Sequence, residues 1–219
     1  MKSDFKLDYK KEYKDLYMPK KTPSIIEVPK MNFIMVKGKG NPNTSIEYKN
    51  AMEILYGLSF TIKMSKMSKD PSDKIDGYFE YVVPPLEGFW WVEDECFDGL
   101  NITNKDDLCW YSMIRQPEFV TKEVFERAKE KFKKKNNDVD FSNTFFKEIE
   151  EGLCVQIMHI GSYDDEKFSI EKMNSFIEKE GYKNDFSKER LHHEIYLSDP
   201  RRVKNINNLK TVIRHPIKK

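Results

Sequence analysis

Two residues near the C-terminus, Glu194 and Tyr196, combine a carboxyl group and a hydroxyl group at a spacing of two. In a β-strand this spacing puts both side chains on one face, with Cα atoms ~6.5–7 Å apart. Leu191, Ile195 and Leu197 flank the glutamate, and a charge in such an apolar strand needs a partner or a function. If that face is enclosed, burial should raise the pKa of the glutamate toward that of a useful base. An edge strand with both side chains in solvent is the alternative that spacing leaves open.

Two aromatic clusters, Phe89–Trp91 and Trp110–Tyr111, lie on neighbouring predicted strands. Alternation along a strand sends Trp90 to one face and Phe89 and Trp91 to the other. One set can line a pocket while the other fills the core, and spacing does not decide which. The chain has 15 Phe, 11 Tyr and 3 Trp, more ring surface than a minimal core needs, and this favours a pocket lined by rings.

Other kinds of site find little support in the sequence. His192 and His193 are adjacent in a strand, so their side chains point to opposite faces of the sheet. No second cluster at ligand spacing is present in the sequence to complete a metal site. Gly38 and Gly40 lack the P-loop lysine and the third glycine of a dinucleotide fingerprint. We therefore expect neither a metal nor a cofactor. The cysteines are odd in number and far apart, which predicts reduced thiols and a cytoplasmic protein; they are Cys96, Cys109 and Cys154.

Composition narrows the partners. The chain has 219 residues, with 38 basic and 37 acidic side chains and a net charge of +1. A near-neutral sum argues against a direct nucleic-acid binder, although a local basic stripe remains compatible with it. No apolar run approaches the roughly 20 residues that span a bilayer, and the N-terminus is no secretion signal. We expect a soluble protein with no membrane partner that binds a hydrophobic aromatic small molecule.

Capping and hydrophobic periodicity predict the elements that position these residues. Residues 1–22 alternate charges with rings, which predicts a short amphipathic helix or a surface arm. A capping box at 44–47 begins a helix that buries one face, and Thr121 caps a second helix. The predicted strands are 25–28, 33–36, 78–83, 89–92, 107–115, 145–149, 153–160, 191–197 and 211–217, and a third helix over 167–180 ends at Gly181.

The order of elements is similar in two halves of the chain, about 23–92 and 144–219, which the segment 93–143 links. In each half a strand ends in a glycine turn, a capped helix follows, and a strand with a central glutamate returns, so that Glu80 corresponds to Glu194. This predicts an α+β domain of two pseudo-symmetric βαββ-type repeats, which form a curved antiparallel sheet with helices and a pocket at their junction. A solvent-facing Glu80 is preferred to one inside the pocket.

Five motifs in this order resemble the GyrI-like small-molecule-binding domain family, in particular its free-standing members of about this length. The resemblance extends from about Tyr17 to the C-terminus and assigns 23–219 to the domain. It implies two βαββ-type repeats with a ligand pocket at their junction, in agreement with the duplication. The motifs are PLEGFWW (85–91), WYSMIRQPEFVT (110–121), EGLCVQ (151–156), HIGSYDD (159–165) and HEIYLSDPR (193–201).

The resemblance also implies roles for single residues. The glutamate and tyrosine of the E-I-Y stretch correspond to Glu194 and Tyr196, and the pocket tryptophans correspond to Trp91 and Trp110. With the resemblance added, Glu194 is expected to face a pocket rather than solvent. The full set of expected ligand-binding residues is Trp90, Trp91, Trp110, Tyr56, Tyr81 and Met113.

Three functions are compatible with such a pocket. Some free-standing relatives hydrolyse cyclopropanoid DNA-alkylating natural products, which implies a hydrolase in which Glu194 activates water and Tyr196 holds the reacting system. Other relatives sense cationic aromatic drugs for transcription activators through a pocket carboxylate, which implies a non-catalytic binder. Further relatives are described as gyrase inhibitors, so a protein partner is the third and least favoured alternative. A fused DNA-binding module is not expected, because no segment remains for one.

Overall fold

The computed structural model describes residues 6–93, 97–100 and 104–219. These residues form nine strands and five α-helices. The helices are α1 (Tyr9–Glu12), α2 (Lys14–Tyr17), α3 (Ile46–Lys63), α4 (Lys122–Lys133) and α5 (Glu166–Lys179). The strands are β1 (Ser24–Val28), β2 (Met31–Lys39), β3 (Leu86–Val92), β4 (Leu108–Gln116), β5 (Thr144–Ile149), β6 (Gly152–Ile160), β7 (Lys183–Asn184), β8 (His192–Tyr196) and β9 (Lys210–Lys218).

Eight of the strands form one antiparallel sheet, in the order β1-β6-β9-β8-β3-β4-β2-β5, which curls into a half-barrel. The short strand β7 pairs with β9 beside this row. The α+β class with a curved antiparallel sheet and helices is therefore confirmed. The two-repeat arrangement stays a prediction. The strand order is compatible with it: if β1 is exchanged with β5, β2 with β6, β3 with β8 and β4 with β9, the same order results when it is followed from the other edge of the sheet.

The predicted caps hold three helix ends in place. Ser45 accepts a hydrogen bond from the Tyr48 N–H at 3.2 Å, so α3 begins within the predicted capping box. Thr121 does the same for the Val124 N–H at 3.3 Å and begins α4. Gly181 ends α5 with φ 75°, a left-handed conformation that glycine adopts without steric cost.

The sheet has two buried faces, which we call the helix face and the arm face. On the helix face, α3 packs on β2, β4 and α4, and α5 packs on β6. On the arm face, Tyr9, Leu16 and Tyr17 of the N-terminal segment join Phe33, Phe89 and other sheet residues in one core cluster. The first twenty residues thus include side chains that are as deeply buried as those of the sheet.

The middle of the sheet, where β8 pairs with β3, lies between the two helix packings. Because α3 packs on β2 and β4 and α5 packs on β6, the part of the helix face over β3 and β8 lies between these two helices, and we call this region the cleft. Register places Gly88 opposite Glu194 and Trp90 opposite His192, so these positions share that face. The fold therefore brings the predicted carboxylate into the gap between its two larger helices.

The segment predicted as a strand over 78–83 forms only a single parallel bridge, between Leu7 and Tyr81. Two prolines follow directly, at Pro84 and Pro85, and they cannot donate ladder hydrogen bonds. Glu80 consequently does not occupy a strand position equivalent to that of Glu194, and its carboxylate pairs with Lys66 outside the cleft.

The arm face holds a buried charged cluster. Glu151 accepts from the Arg214 guanidinium at 3.0 Å and from His193 Nδ1 at 3.0 Å. The other ring nitrogen of His193 lies 3.1 Å from Glu87, which also accepts from the Tyr17 hydroxyl at 3.1 Å. The N-terminal arm is therefore joined to β3 by the hydrogen bond between Tyr17 and Glu87 as well as by apolar contacts.

Two of the cysteines, Cys109 and Cys154, are free thiols in buried positions. The third, Cys96, lies outside the described residues, as does Phe5 of the aromatic arm pattern. Within the described part of the chain, no helix is both long and apolar enough to cross a membrane.

Candidate functional site

Glu194 is the centre of a hydrogen-bonded row on the helix face. Its Oε1 accepts from His192 Nε2 at 2.8 Å, and its Oε2 accepts from the Tyr196 hydroxyl at 2.7 Å. The same hydroxyl accepts from Trp90 Nε1 at 2.9 Å. The side chain of Glu194 is only 14% exposed, so these two donors replace most of the water that a free carboxylate would bind.

The pKa of Glu194 departs from the sequence-based expectation. Burial does act to raise it, but the hydrogen bonds and charge of His192, the Tyr196 hydroxyl and the charge of His193 outweigh burial and lower the pKa. The expectation considered burial alone and omitted the donors on both sides of the residue. Glu194 is therefore an ionised carboxylate at neutral pH.

A second histidine stands behind the first. His192 Nδ1 and His215 Nε2 are 2.7 Å apart, and His215 comes from β9. Because Glu194 can only accept, His192 donates to it through Nε2, and its Nδ1 shares the second hydrogen bond with His215 Nε2. Burial, with a smaller contribution from His192, lowers the pKa of His215 well below its usual value. His215 is consequently neutral, and it fixes the ring orientation of His192.

A second carboxyl group, that of Glu166, enters the same site from the first turn of α5. Its side chain is buried, at 7% exposure, and its Oε1 has no hydrogen-bond partner among the described residues. Burial, followed by the charge of Glu194, raises the pKa of Glu166 well above its usual value. The site thus holds two neighbouring carboxyl groups whose surroundings push their pKa values in opposite directions.

Aromatic rings enclose the carboxyl groups. Tyr48 of α3 stacks on Trp90 with ring centroids 6.1 Å apart and meets Trp110 edge-on at 5.0 Å. On the other side Tyr163 meets Tyr196 edge-on at 5.9 Å, and burial, followed by the charges of the two glutamates, raises the pKa of Tyr163 to about 12. The rings pack against one another over the carboxylate, so an aromatic ligand has to part them in order to reach it.

Gly88 makes this close packing possible. A Cβ atom at this position would lie 2.8 Å from Trp90 Nε1 and 3.4 Å from the Tyr196 hydroxyl. Only glycine lets the indole lie flat on β3 and still reach the tyrosine.

The residues that the sequence predicted to bind the ligand lie in different parts of the structure. Trp90 and Trp110 lie in the cleft with Glu194, and Tyr56 of α3 lies near its rim, 36% exposed and close to Asp199. Trp91 follows Trp90 in the strand and so points to the arm face, where it packs on Tyr111 with centroids 4.7 Å apart. The other two expected ligand residues, Tyr81 and Met113, are buried in the arm-face core.

Several site residues carry signals that sequence reasoning did not use. Tyr48 lies one turn after the α3 cap, and Tyr163 and Glu166 lie within or just after the HIGSYDD motif. Gly88, a glycine inside a predicted strand, is a sign of close approach by another group. His215 gives no such signal, because its role depends on strand pairing across β8 and β9.

The described residues form no cluster for a metal ion, and two cavities lie away from Glu194. No group of three or more metal-binding side chains occurs among the described residues. One cavity of about 30 Å³ lies between α3 and α4, and a more open one of about 300 Å³ lies against the end of α4; none of the residues around Glu194 lines either of them.

Comparisons with known proteins show which family and which structures the chain is similar to. The sequence model of the family described as "GyrI-like small molecule binding domain" matches residues 21–218. The crystal structure of a hydrolase from Listeria innocua is 46% identical, covers 97% of this chain and 100% of its own, and has a TM-score of 0.86. Another hydrolase from the same organism is 47% identical over 98% and 100%, with a TM-score of 0.88. An uncharacterized conserved protein from Listeria innocua is 48% identical over 97% and 100%, with a TM-score of 0.89. No curated protein matches the chain.

Proposed function

The chain belongs to the GyrI-like small-molecule-binding domain family, and from this premise we propose that it is a hydrolase of flat, electrophilic aromatic compounds that carry a cyclopropane ring. The observation that carries the proposal is the ionised carboxylate of Glu194, held beside a second carboxyl group beneath aromatic rings. Two relatives described as hydrolases, each more than 45% identical over nearly the whole chain, support the reaction type. Detoxification of such compounds would be the biological purpose.

In the proposed reaction, Trp90 and Trp110 hold the flat body of the substrate, and the closed rings keep bulk water out. The substrate is a cyclopropane fused to a cyclohexadienone, which becomes a phenol when the ring opens. A water molecule gives a proton to Glu194 while its oxygen bonds to the cyclopropane carbon. The carbon–carbon bond breaks, and its electron pair moves into the dienone, which aromatises.

The existing hydrogen bonds determine how Glu194 does this. Both of its oxygens already accept hydrogen bonds, from His192 and Tyr196, so a catalytic water has to share or replace one of them. In the proposed reaction Tyr196 is the partner that is replaced, because a bound substrate oxygen can accept the proton of its hydroxyl group. His192 is fixed from behind by His215 and keeps the carboxylate oriented.

The test is incubation of a cyclopropanoid alkylator with the protein, followed by chromatography with mass detection. The parent protein should form, with many turnovers, a product heavier by one water. Glu194→Gln keeps the shape of the side chain but cannot accept the proton, so turnover should fall by about 10²–10⁴ while binding is largely retained. Unchanged kcat in this variant would rule out Glu194 as the base.

A second candidate function, a non-catalytic binder of cationic aromatic drugs, is favoured by the lowered pKa of Glu194. An ionised carboxylate among rings attracts an organic cation by charge and by cation–π contact. In that case the alkylator stays intact, and Glu194→Gln weakens binding of a cationic dye more than that of a neutral dye of the same size. Equal affinity of the parent protein for both dyes would count against this second function.

A further inference from the structure

We propose that Tyr48 is the ring that a ligand displaces when it enters this site. The phenol ring of Tyr48 occupies the place on Trp90 and Trp110 that the flat body of a ligand takes, so a side chain of the protein itself closes the site. The inference rests on the aromatic ligand of the proposed function, and it extends that function by naming the residue that controls entry.

The two indoles form a floor on the helix face of the sheet. Trp90 of β3 and Trp110 of β4 are register partners, so their side chains lie side by side on one face. A Cβ atom at Gly88 would lie 2.8 Å from Trp90 Nε1, and a Cβ atom at Gly38 of β2 would overlap the Trp110 ring. Because both neighbouring positions are glycines, each indole can lie close against the backbone of the sheet.

Both indoles are also held in place. Trp90 donates a hydrogen bond to the Tyr196 hydroxyl at 2.9 Å and is only 5% exposed. Trp110 is fully buried and belongs to the core cluster that α3 covers. A shift of Trp90 would break its hydrogen bond, and a shift of Trp110 would unpack the core. The indoles are therefore the part of the site that stays in place when a ligand binds.

Tyr48 differs from the indoles in its position and in its exposure. It lies in the first turn of α3, three residues after the cap Ser45, and it is partly exposed. Its ring stacks on Trp90 with 28° between the ring planes and meets Trp110 edge-on at 5.0 Å. Stacked and edge-on contacts are the two arrangements that aromatic pairs prefer, so a ligand ring would make the same contacts on this floor. A change of side-chain rotamer can move the Tyr48 ring toward solvent.

The other phenol above the carboxylate, Tyr163, lies on the opposite side of the row and meets Tyr196. Among the rings that the structure describes, Tyr48 is the one that contacts both Trp90 and Trp110. A ligand that brings a ring replaces both of these contacts, whereas a ligand without a ring only removes them. Tyr48 therefore sets a threshold for entry that favours aromatic ligands.

The binding test compares Tyr48→Ala with Phe60→Ala, which removes a 47% exposed ring of the same helix. The probe is acridine at pH 8, which is flat and neutral, and its association is followed in a stopped-flow instrument by quenching of tryptophan fluorescence. Tyr48→Ala removes the ring that competes for the floor, so the association rate constant and the affinity should both rise by about tenfold. Phe60→Ala should bind acridine as the parent protein does. Unchanged, slower or weaker binding in Tyr48→Ala would show that Tyr48 is a fixed wall of the site and would overturn the proposal.

A second measurement keeps the ring and does not depend on the folding of the alanine variant. The protein is prepared with fluorotyrosine, and the fluorine resonance of Tyr48 is identified by its loss in Tyr48→Phe. The difference between its chemical shift in H₂O and in D₂O measures the exposure of the ring to solvent. This difference should increase when acridine binds. If it decreases or stays the same, the ring remains on the floor and the proposal fails.

The outcomes separate the failure of this inference from the failure of the proposed function. A parent protein that turns over no cyclopropanoid compound contradicts the hydrolase function, while faster acridine association in Tyr48→Ala still supports the role of Tyr48. An active parent protein whose Tyr48→Ala variant binds acridine no faster contradicts the role of Tyr48 alone. If neither the parent protein nor folded Tyr48→Ala binds acridine, the aromatic site is contradicted, and both proposals fall with it.

Discussion

The character of Glu194 comes from the groups around it more than from its burial. His192 and Tyr196 donate to its two oxygens, and Trp90 donates in turn to Tyr196. A buried carboxyl group without such donors has a raised pKa, as Glu166 does. Two residues of the same type therefore have pKa values that their surroundings shift in opposite directions.

Tyr196→Phe should show how far the hydroxyl controls the carboxylate. The variant loses the 2.7 Å hydrogen bond to Glu194, so the pKa of that glutamate should rise. Activity that requires the ionised form is then lost at a higher pH, and the acid limb of the kcat/KM profile moves upward. At neutral pH we expect kcat to fall by about 10², a typical loss for one well-placed donor.

Tyr163→Phe is the control for this prediction, because its ring meets Tyr196 edge-on at 5.9 Å without joining the row of hydrogen bonds to Glu194. Its acid limb should coincide with that of the parent protein. If Tyr196→Phe also keeps the acid limb of the parent, the hydroxyl does not lower the pKa of Glu194.

At the scale of single residues, the sequence predicted that Glu194 and Tyr196 lie on one face, because side chains two residues apart in a strand point to the same side. The choice between Trp90 and Trp91 could not be made in the same way. Alternation shows that the two differ in direction, but only the pairing of β3 with β8 shows which one shares a face with Glu194. Glu166 was missed because its burial at the start of α5 depends on how that helix packs on the sheet, which residue spacing does not reveal.

At the scale of elements, β3 determines the shape of the cleft through the side chains on its helix face. Its pattern on the helix face is Leu86, Gly88 and Trp90, and the glycine leaves the space that the indole occupies. On the other side of the row, α3 supplies Tyr48 as a cover for the same indole. The cleft therefore depends on the absence of a side chain in one element and on a ring from another.

Gly88→Ala should damage the site more than the fold. The added methyl group would lie 2.8 Å from Trp90 Nε1, so the indole has to move away from Tyr196. Such overpacking typically costs about 1–3 kcal/mol in the free energy of unfolding. We expect this loss in urea unfolding, together with weaker binding of an aromatic dye measured by fluorescence.

The matched control is Gly181→Ala, at the end of α5. This glycine has φ 75°, so alanine there is strained, yet a Cβ atom would have no neighbour within 4 Å. It should lose about 1–2 kcal/mol of stability and keep the dye affinity of the parent protein. Parent-like dye affinity in Gly88→Ala would show that the contact between Trp90 and Tyr196 does not shape the site.

Elements with strong local signals were predicted within one or two residues. The capped helix α3 and the glycine-ended helix α5 are examples, because capping is decided by residues close in sequence. The predicted strand over 78–83 was wrong, although its Tyr and Val content is typical of strands. There the prolines at Pro84 and Pro85 limit pairing, and β-propensity alone cannot outweigh the loss of ladder partners.

At the scale of the whole molecule, the sheet separates two polar systems. The cleft with Glu194 lies on the helix face, whereas Glu151, His193 and Arg214 lie on the arm face. His193 and Glu194 are adjacent in β8, so the strand carries one system on each side. This division could not be predicted from the sequence, because it depends on the N-terminal arm closing the second face.

The arm-face cluster should control acid stability. Burial acts to raise the pKa of Glu151, but the charges and hydrogen bonds of His193 and Arg214 outweigh it and lower the pKa from 4.5 to about 2. A carboxyl group with a lowered folded-state pKa stabilises the fold fully above its unfolded-state value, and this contribution is lost as the pH falls toward the folded-state value. The window here is from pH 4.5 down to about pH 2, and at about 1.4 kcal/mol per pH unit it corresponds to roughly 3 kcal/mol.

Glu151→Gln should therefore be less stable than the parent protein at pH 7 by about 3–5 kcal/mol, because the Arg214 guanidinium stays buried without its carboxylate partner. The difference between the two proteins, measured by urea unfolding, should narrow as the pH is lowered from 4.5 toward 2, where the parent protein loses the same interaction. Glu150→Gln, an exposed neighbour, should stay within about 0.5 kcal/mol of the parent protein at every pH. A stability difference that is the same at pH 7 and near pH 2 would show that Glu151 stabilises the fold through its shape and not through its charge.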